Sequence, residues 1–385
     1  MSEDPKKEAR ILFMRTQIGT QRCFQGALFF LAVAGVASAQ VSFTEYPIPT
    51  ANGSPYGIAA GPDGALWFAE YSVGKIGRIT TAGAFTEYRT PTPASTSTPS
   101  LIAKGPDGAL WFTEDYANQI GRVTTGGAFA EYPIPTAYSY PFGIAAGPDG
   151  ALWFTEQASN QIGRMATSGS PVTEYPIPTA NSQPQVIAAG PDGALWFTEV
   201  NTNKIGRIAT SGGSVTEYTV PTPNSAPFGI VAGPDGALWF TEGNVGKAGR
   251  ITTTGQITEY TLPAAPNAAG IAVGPDGALW IGTANSLVRI TTAGAASRYP
   301  LPSGVSIFPV AGPDQAIWFT GGSYGAGAIG RAAIPASFFP PGSPAATPIP
   351  PTWVLMLLAM LAIGAGAAVK SIQANRCRLH RQPGS

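Results

Sequence analysis

Thiol and imidazole chemistry are nearly absent from this chain of 385 residues, which has two cysteines and one histidine. Cys23 and Cys377 lie towards the two ends, and His380 follows the second of them. The body between Gln40 and Ile334 therefore has no disulfide, no Cys or His metal ligand and no thiol nucleophile. Charge is scarce as well, with Asp, Glu, Lys and Arg making up 11% of residues. The formal net charge of zero hides an asymmetry. From Val41 to Ile334, 13 Lys and Arg stand against 19 Asp and Glu, a net of −6, and the ends carry the compensating positive charge. An acidic body without a basic stripe argues against a nucleic-acid partner. No GK[ST] phosphate loop or HExxH helix occurs. The 48 glycines and 37 prolines suit a protein of many short strands and tight turns.

The two ends read as addresses. Lys6, Lys7, Arg10, Arg15 and Arg22 precede an apolar stretch, Ala27 to Val36, and Ala37-Ser38-Ala39 makes an A-x-A cleavage site. This is the pattern of a secretory signal over residues 1–39, with Gln40 as the first mature residue and Met14 as an alternative start. A membrane anchor is the other reading of the stretch, and its shortness weighs against it. Residues 335–352 form a Pro-rich linker. Trp353 to Val369 is an uncharged run, and residues 370–385 carry Lys370, Arg376, Arg378 and Arg381. The run has the minimum length of a spanning helix, and the basic tail would lie in the cytoplasm with the body outside. Pro348-Ile349-Pro350, the apolar run and the basic tail together resemble the PEP-CTERM sorting signal of Gram-negative bacteria, with Ile349 where that family has Glu. A plain membrane anchor is the alternative. The expected localisation is export across the inner membrane, with the body secreted or anchored through the C-terminal helix.

The strongest signal is internal repetition. Gly-Pro-Asp-Gly-Ala-Leu-Trp-Phe-Thr-Glu recurs with small changes, and its tryptophans are Trp67, Trp111, Trp153, Trp196, Trp239, Trp280 and Trp318. Their spacings are 44, 42, 43, 43, 41 and 38 residues. A period of this length with one Trp per unit predicts an all-β, seven-bladed propeller of four-stranded blades over residues 40–334. The seventh unit lacks an outer strand, and Phe43-Thr44-Glu45-Tyr46-Pro47 before the first unit supplies it, closing the ring without an open edge. Such a ring is expected to be a monomer. In the first unit a short turn at Ala82-Gly83 predicts Arg78 opposite Glu87 on neighbouring strands, a cross-strand ion pair. The same register pairs Arg122 with Glu131 and Arg250 with Glu259, and sets Arg289 against Arg298 in the sixth unit.

A four-stranded meander alternates its turns between two faces. Gly-Pro-Asp-Gly and Thr-Thr-x-Gly turns repeat on one of them, so they answer to the fold. The loops on the other vary, as in Glu70-Tyr71-Ser72, Glu114-Asp115-Tyr116 and Ala137-Tyr138-Ser139-Tyr140. That variable face is where a specific ligand would be read. Five glutamates close the second strands there: Glu70, Glu114, Glu156, Glu199 and Glu242. Converging on a central tunnel they could hold Ca²⁺ or Mg²⁺. The alternative is that each accepts hydrogen bonds from loop amides of its own blade. Tyr56, Phe142 and Phe228, just before their inner strands, could offer a stacking surface at the tunnel mouth or pack between blades.

Leu-Trp-Phe-Thr-Glu, then Asn203-Lys204-Ile205-Gly206-Arg207-Ile208, then Thr-Glu-Tyr-x-x-Pro-Thr resembles the streptogramin B lyase (virginiamycin B lyase) family across all seven units. The resemblance implies a seven-bladed propeller that opens a cyclic depsipeptide by elimination, with Mg²⁺ as cofactor and a catalytic histidine. It assigns no catalytic residue here, because His380 is the sole histidine. Two functions follow as expectations. One is an exported binding or scaffold propeller for a small-molecule, peptide or cell-surface ligand, associated with a membrane through its C-terminal helix. The other is a Mg-dependent carbon–oxygen lyase acting on a streptogramin B type depsipeptide or a related ester.

Overall fold

Alternating apolar and polar residues, broken every few positions by Gly-Pro-Asp-Gly or a Thr-rich turn, can only form short antiparallel strands. The computed structural model describes residues 40–340, apart from 266, 303–305 and 322–326. It contains seven four-stranded sheets. Blade 1 runs from the inner strand Pro55–Ala60 through Leu66–Glu70 and Lys75–Ile79 to the outer strand Phe85–Arg89. The inner strands of successive blades pack on one another around a central axis. Blade 7 takes its outer strand from the start of the body, with Ser42 paired to Ala333 and Pro47 to Ala328. The ring closes as the sequence predicts. The expected signal peptide, the apolar run, the basic tail and most of the linker lie outside the described residues. Among the described residues no helix is long and apolar enough to cross a membrane.

Each blade is organised by its tryptophan, which is fully buried in all seven. In blade 1 the Trp67 indole donates to Asp63 of the Gly-Pro-Asp-Gly turn at 3.0 Å. Arg78 on the third strand binds the other oxygen of that carboxylate at 2.7 Å. Burial pushes Asp63 up, but its bonds to Arg78 and Trp67 outweigh this and hold the carboxyl below its ordinary range. Tyr88 of the outer strand stacks on the indole, with centroids 5.5 Å apart. The tyrosine is also gripped by the next blade. Gly127, at φ 87° in the Thr-Thr-x-Gly turn of blade 2, meets the Tyr88 ring so closely that a Cβ there would lie 2.5 Å from it. Blade 7 has no such turn, so Tyr299 of blade 6 is met instead by Phe338 of the 3₁₀ turn Ala336–Phe338.

The structure corrects the predicted ion pairs. Arg78 lies opposite Thr86, and Glu87 opposite Gly77. Arg122 and Arg250 likewise face Ala130 and Thr258 rather than Glu131 and Glu259. The reason is the turn. Thr80 receives the amide of Gly83 and itself binds Ala84, so one residue more belongs to the loop than the short turn allowed. A one-residue slip moves each side chain to the opposite face. The arginines therefore bind the turn aspartates, while Glu87 takes Lys75 at 2.8 Å and the backbone and hydroxyl of Thr50 from the preceding connection. In blade 6, Arg289 faces Ser297 and binds Asp276 at 2.6 Å, so it meets no like charge.

One size rule runs through the blades. Phe197 lies opposite Gly206, and a Cβ on that glycine would sit 2.2 Å from the ring. Blade 6 alone has Ile281 opposite Val288, trading the ring for a side chain on the glycine's strand. We expect Gly206→Val to destabilise the protein by about 1–3 kcal/mol through overpacking. Adding Phe197→Ile should recover most of that loss. Denaturant unfolding of the two single variants and the double variant measures the coupling, and additive costs would reject the size rule.

Candidate functional site

The inner strands are irregular where they approach the variable face. In blade 3, Pro141 pairs with Glu156 and Ile144 with Phe154, leaving Phe142 and Gly143 opposite the single residue Thr155. This is a β-bulge, and it re-aims a side chain towards the axis. The Thr155 hydroxyl repairs the ladder. It accepts the Gly143 amide at 2.8 Å and donates to the Gln185 carbonyl of the next blade at 2.7 Å. Thr113, Thr198 and Thr241 repeat the arrangement, and Thr320 donates to the Tyr56 carbonyl across the ring closure.

The bulges bring together three aromatic residues expected at the tunnel mouth, and a fourth. Tyr56 meets Phe142 at 5.9 Å, Phe142 meets Phe228 at 6.1 Å, Phe228 meets Phe308 at 6.0 Å, and Phe308 returns to Tyr56 at 5.2 Å. They come from blades 1, 3, 5 and 7 and form a closed cycle over the axis. Phe308 was hidden in the sequence because it occupies the second bulge position, where Tyr56, Phe142 and Phe228 occupy the first.

The five glutamates do not converge. Each ends its second strand at 0% exposure, opposite the first residue of its own third strand, as Glu70 is opposite Lys75. Among the described residues no group of three or more His, Cys, Asp or Glu could hold a metal ion. The expected carboxylate ring for Ca²⁺ or Mg²⁺ is therefore absent from them, and the residues present do not fit the Mg²⁺ that the family resemblance implies. Nor do loop amides satisfy these carboxylates. Glu114 accepts Ser97 and Gln119 side chains, both at 2.5 Å, and Glu156 and Glu199 accept Ser159 and Thr202 at 3.0 Å. Among the described residues, both oxygens of Glu70 and of Glu242 are buried without a partner within hydrogen-bond distance. Burial pushes all five up to about 7.

A second cluster lies over blades 1 to 3, and it escaped the sequence reading. Asp115, in the second loop of blade 2, accepts Ser100 at 2.7 Å, and burial pushes it up to about 7. Tyr71 lies 6.0 Å from Tyr56, and Tyr116 lies 5.6 Å from Tyr140 with the rings nearly perpendicular. Burial, then the Asp115 charge, pushes the Tyr71 phenol up to about 12, and the same two causes raise Tyr56. The available signal was positional. Asp115 follows the repeat glutamate where the other blades carry Tyr71, Gln157, Val200 and Gly243.

Comparison with known proteins agrees with this architecture. The profile of the Virginiamycin B lyase family matches residues 32–185 and 170–338. A streptogramin B lyase structure is 36% identical, with a TM-score of 0.71 over 76% of this chain and 97% of its own. A virginiamycin B lyase from Staphylococcus aureus is 37% identical, with a TM-score of 0.72 over 77% of this chain and 100% of its own. A catalytically inactive histidine-to-alanine variant of that enzyme, solved with quinupristin, is similar to the same degree. Among curated sequences, a virginiamycin B lyase of Saccharopolyspora erythraea is 47% identical over 49 residues. That match spans 13% of this chain and 16% of the relative's length. The extracellular domain of a putative two-component system from B. thetaiotaomicron, 17% identical with a TM-score of 0.61, shares the fold alone.

The buried glutamates make stability depend on pH in a definite direction. A carboxyl whose folded value is raised to about 7 stabilises fully below its unfolded value, and that contribution is lost as pH rises towards 7. We expect Glu242→Gln to raise the melting temperature at pH 8, by a stabilisation on the order of 1–3 kcal/mol. At pH 4 it should leave the temperature nearly unchanged. Thermal melts at both pH values check this, and destabilisation at pH 8 would mean that the charge itself is held by a partner.

Proposed function

The chain belongs to the virginiamycin B lyase family, and on that premise we propose that it keeps the family's propeller as an exported binding module rather than as a depsipeptide-opening enzyme. The module takes a small-molecule, peptide or cell-surface ligand on its variable face, outside the cytoplasm, and is held at a membrane by its C-terminal apolar run. Export is supported by the signal pattern before Gln40 and by the thiol-free body. One observation carries the rest. Elimination needs a base next to the scissile centre, yet no histidine occurs in residues 40–340, and the five repeat glutamates are sequestered one per blade. What the variable face does offer is a stiff aromatic floor with exposed tyrosines at its edge, which is a surface for contact.

The lyase reading has one observation in its favour. Burial pushes the Asp115 carboxyl up to about 7, near the range that suits a general base, and Asp115 belongs to a loop of the variable face. The two readings separate in one assay. The full chain is incubated with a streptogramin B antibiotic, with Mg²⁺ or with EDTA, and ring opening is followed by mass spectrometry. The binding reading expects an intact ring in both samples. Metal-dependent opening that Asp115→Asn abolishes would replace it with a lyase whose base is a carboxylate.

A further inference from the structure

We propose that blade 3 holds a monovalent cation of ammonium size, such as K⁺, among Glu156, Gln161, Glu174 and Thr136. The inference stands apart from the ligand of the variable face and from the Mg²⁺ of the family. It comes from comparing equivalent positions within one chain. In blades 1, 4 and 5 the third strand opens with a lysine, Lys75, Lys204 or Lys247, opposite the repeat glutamate. Its ammonium lies against two oxygens, the hydroxyl of a threonine from the preceding connection and the carboxylate of an outer-strand glutamate. Those contacts run from 2.5 to 3.1 Å. Each of these blades thus carries its own cation beside two carboxylates.

Blade 3 keeps the cradle and has no lysine. Thr136 gives Glu174 its amide at 3.0 Å and its hydroxyl at 2.9 Å, as Thr50 does for Glu87. Gln161 stands opposite Glu156, in the place of the lysine. Glu174 is opposite Gly163, two residues from Gln161, so the three side chains share one face of the sheet. Glu156 leans over that glycine, where a Cβ would lie 2.8 Å from its Oε1. This oxygen, on a side chain at 0% exposure, is buried without a partner within hydrogen-bond distance, and so is Gln161 Oε1.

No basic residue of the blade answers the two carboxylates. Arg164, the sole Lys or Arg of residues 141–176, alternates to the other face beside Trp153 and binds Asp149 at 2.7 Å. Blade 2 meets the same loss of lysine differently. Gln119 Nε2 donates to Glu114 at 2.5 Å and to Thr92 at 2.7 Å, so an amide takes the ammonium's place. In blade 3 it is the amide oxygen that is buried and unpartnered. Neighbouring like charges with unpartnered oxygens are costly, and a bound cation relieves both faults. The distances choose the ion. Mg²⁺ takes oxygens at about 2.0–2.1 Å and Ca²⁺ at about 2.3–2.6 Å, whereas the cradle in three blades is set for the longer contacts of an ammonium. Thr136 belongs to the connection that carries Tyr138 and Tyr140, so the ion ties that connection to blade 3.

The test is thermal unfolding of the full chain in KCl, NaCl, CaCl₂ and tetramethylammonium chloride at equal ionic strength. Burial pushes Glu156 up to about 7, and melts at pH 8 keep its carboxylate charged. We expect KCl to raise the melting temperature over tetramethylammonium chloride by roughly 2–4 °C, saturating with concentration. Gln161→Lys supplies the ammonium of the other blades and should melt at the K⁺-saturated temperature in every salt. Gln119→Lys in blade 2 should keep the K⁺ response. Crystals grown in rubidium chloride should show an anomalous peak beside Glu174 and Thr136, and this measurement decides alone if Gln161→Lys does not fold. Equal melting in KCl and tetramethylammonium chloride would overturn the proposal. So would a K⁺ response that Gln161→Lys leaves intact, an equal response to NaCl, or a response to CaCl₂ alone. Antibiotic ring opening reads none of these, so failure here leaves the binding reading standing.

Discussion

One carboxylate per blade fixes the geometry of the whole ring. The aspartate of each Gly-Pro-Asp-Gly turn accepts the indole N–H of the second strand on one oxygen, as Asp63 does from Trp67, and the arginine of the third strand on the other. The same two bonds recur in the last blade, where Asp314 holds Trp318 and Arg331. The indole cannot turn, and its faces become fixed platforms for the tyrosine of the outer strand. Charge-assisted bonds of this kind are short and directional, so they set the spacing of three strands at once. These anchors all lie at one end of the blade, and the loops at the other end are the ones whose sequence varies from blade to blade.

Blade 6 shows what the constraint tolerates. It keeps the aspartate, tryptophan, arginine and tyrosine and departs in paired steps elsewhere. Ile281 replaces the phenylalanine where Val288 replaces the glycine beneath it. Ala264 stands where five connections carry the threonine that binds an outer-strand glutamate, and Arg298 stands in place of that glutamate. Arg298 then turns to Ser286 and Asn285. Losing both partners of a buried bond costs little, while losing one leaves an orphan. Thr283 and Ser286 complete the exchange, bonding each other at 2.7 Å where five other blades bury a glutamate.

The fold was legible because repetition exposes it: seven Trp-centred units and one displaced strand determine the blades and their closure. Register was less legible. Whether Thr80 belongs to the strand or the turn depends on two backbone hydrogen bonds, to Gly83 and Ala84, and the partners of Arg78 and Glu87 depend on that choice. The convergence of Tyr56, Phe142 and Phe228 could be suspected from their place in the repeat. Phe308 could not, since the bulge in blade 7 carries its ring one residue later. Asp115 was the reverse case. The repeated glutamates drew attention because they recur, yet recurrence marked them as scaffold, and the unrepeated acid beside one of them is what the variable face presents.

Both ends of the propeller's chain leave from the same place. Ser42 begins the closing strand beside Ala333, which ends the strand it pairs with, and both lie on the side of the invariant turns. Tension applied between those two ends would act on the hydrogen bonds of the Ser42–Pro47 and Ala328–Ala333 pair one after another, as in opening a zip, instead of loading them together in shear. The ring would yield at its seam, at low force, while the tryptophan-centred blades on either side remained folded. A tether on that side would leave the tyrosine-bearing face directed away from whatever holds it.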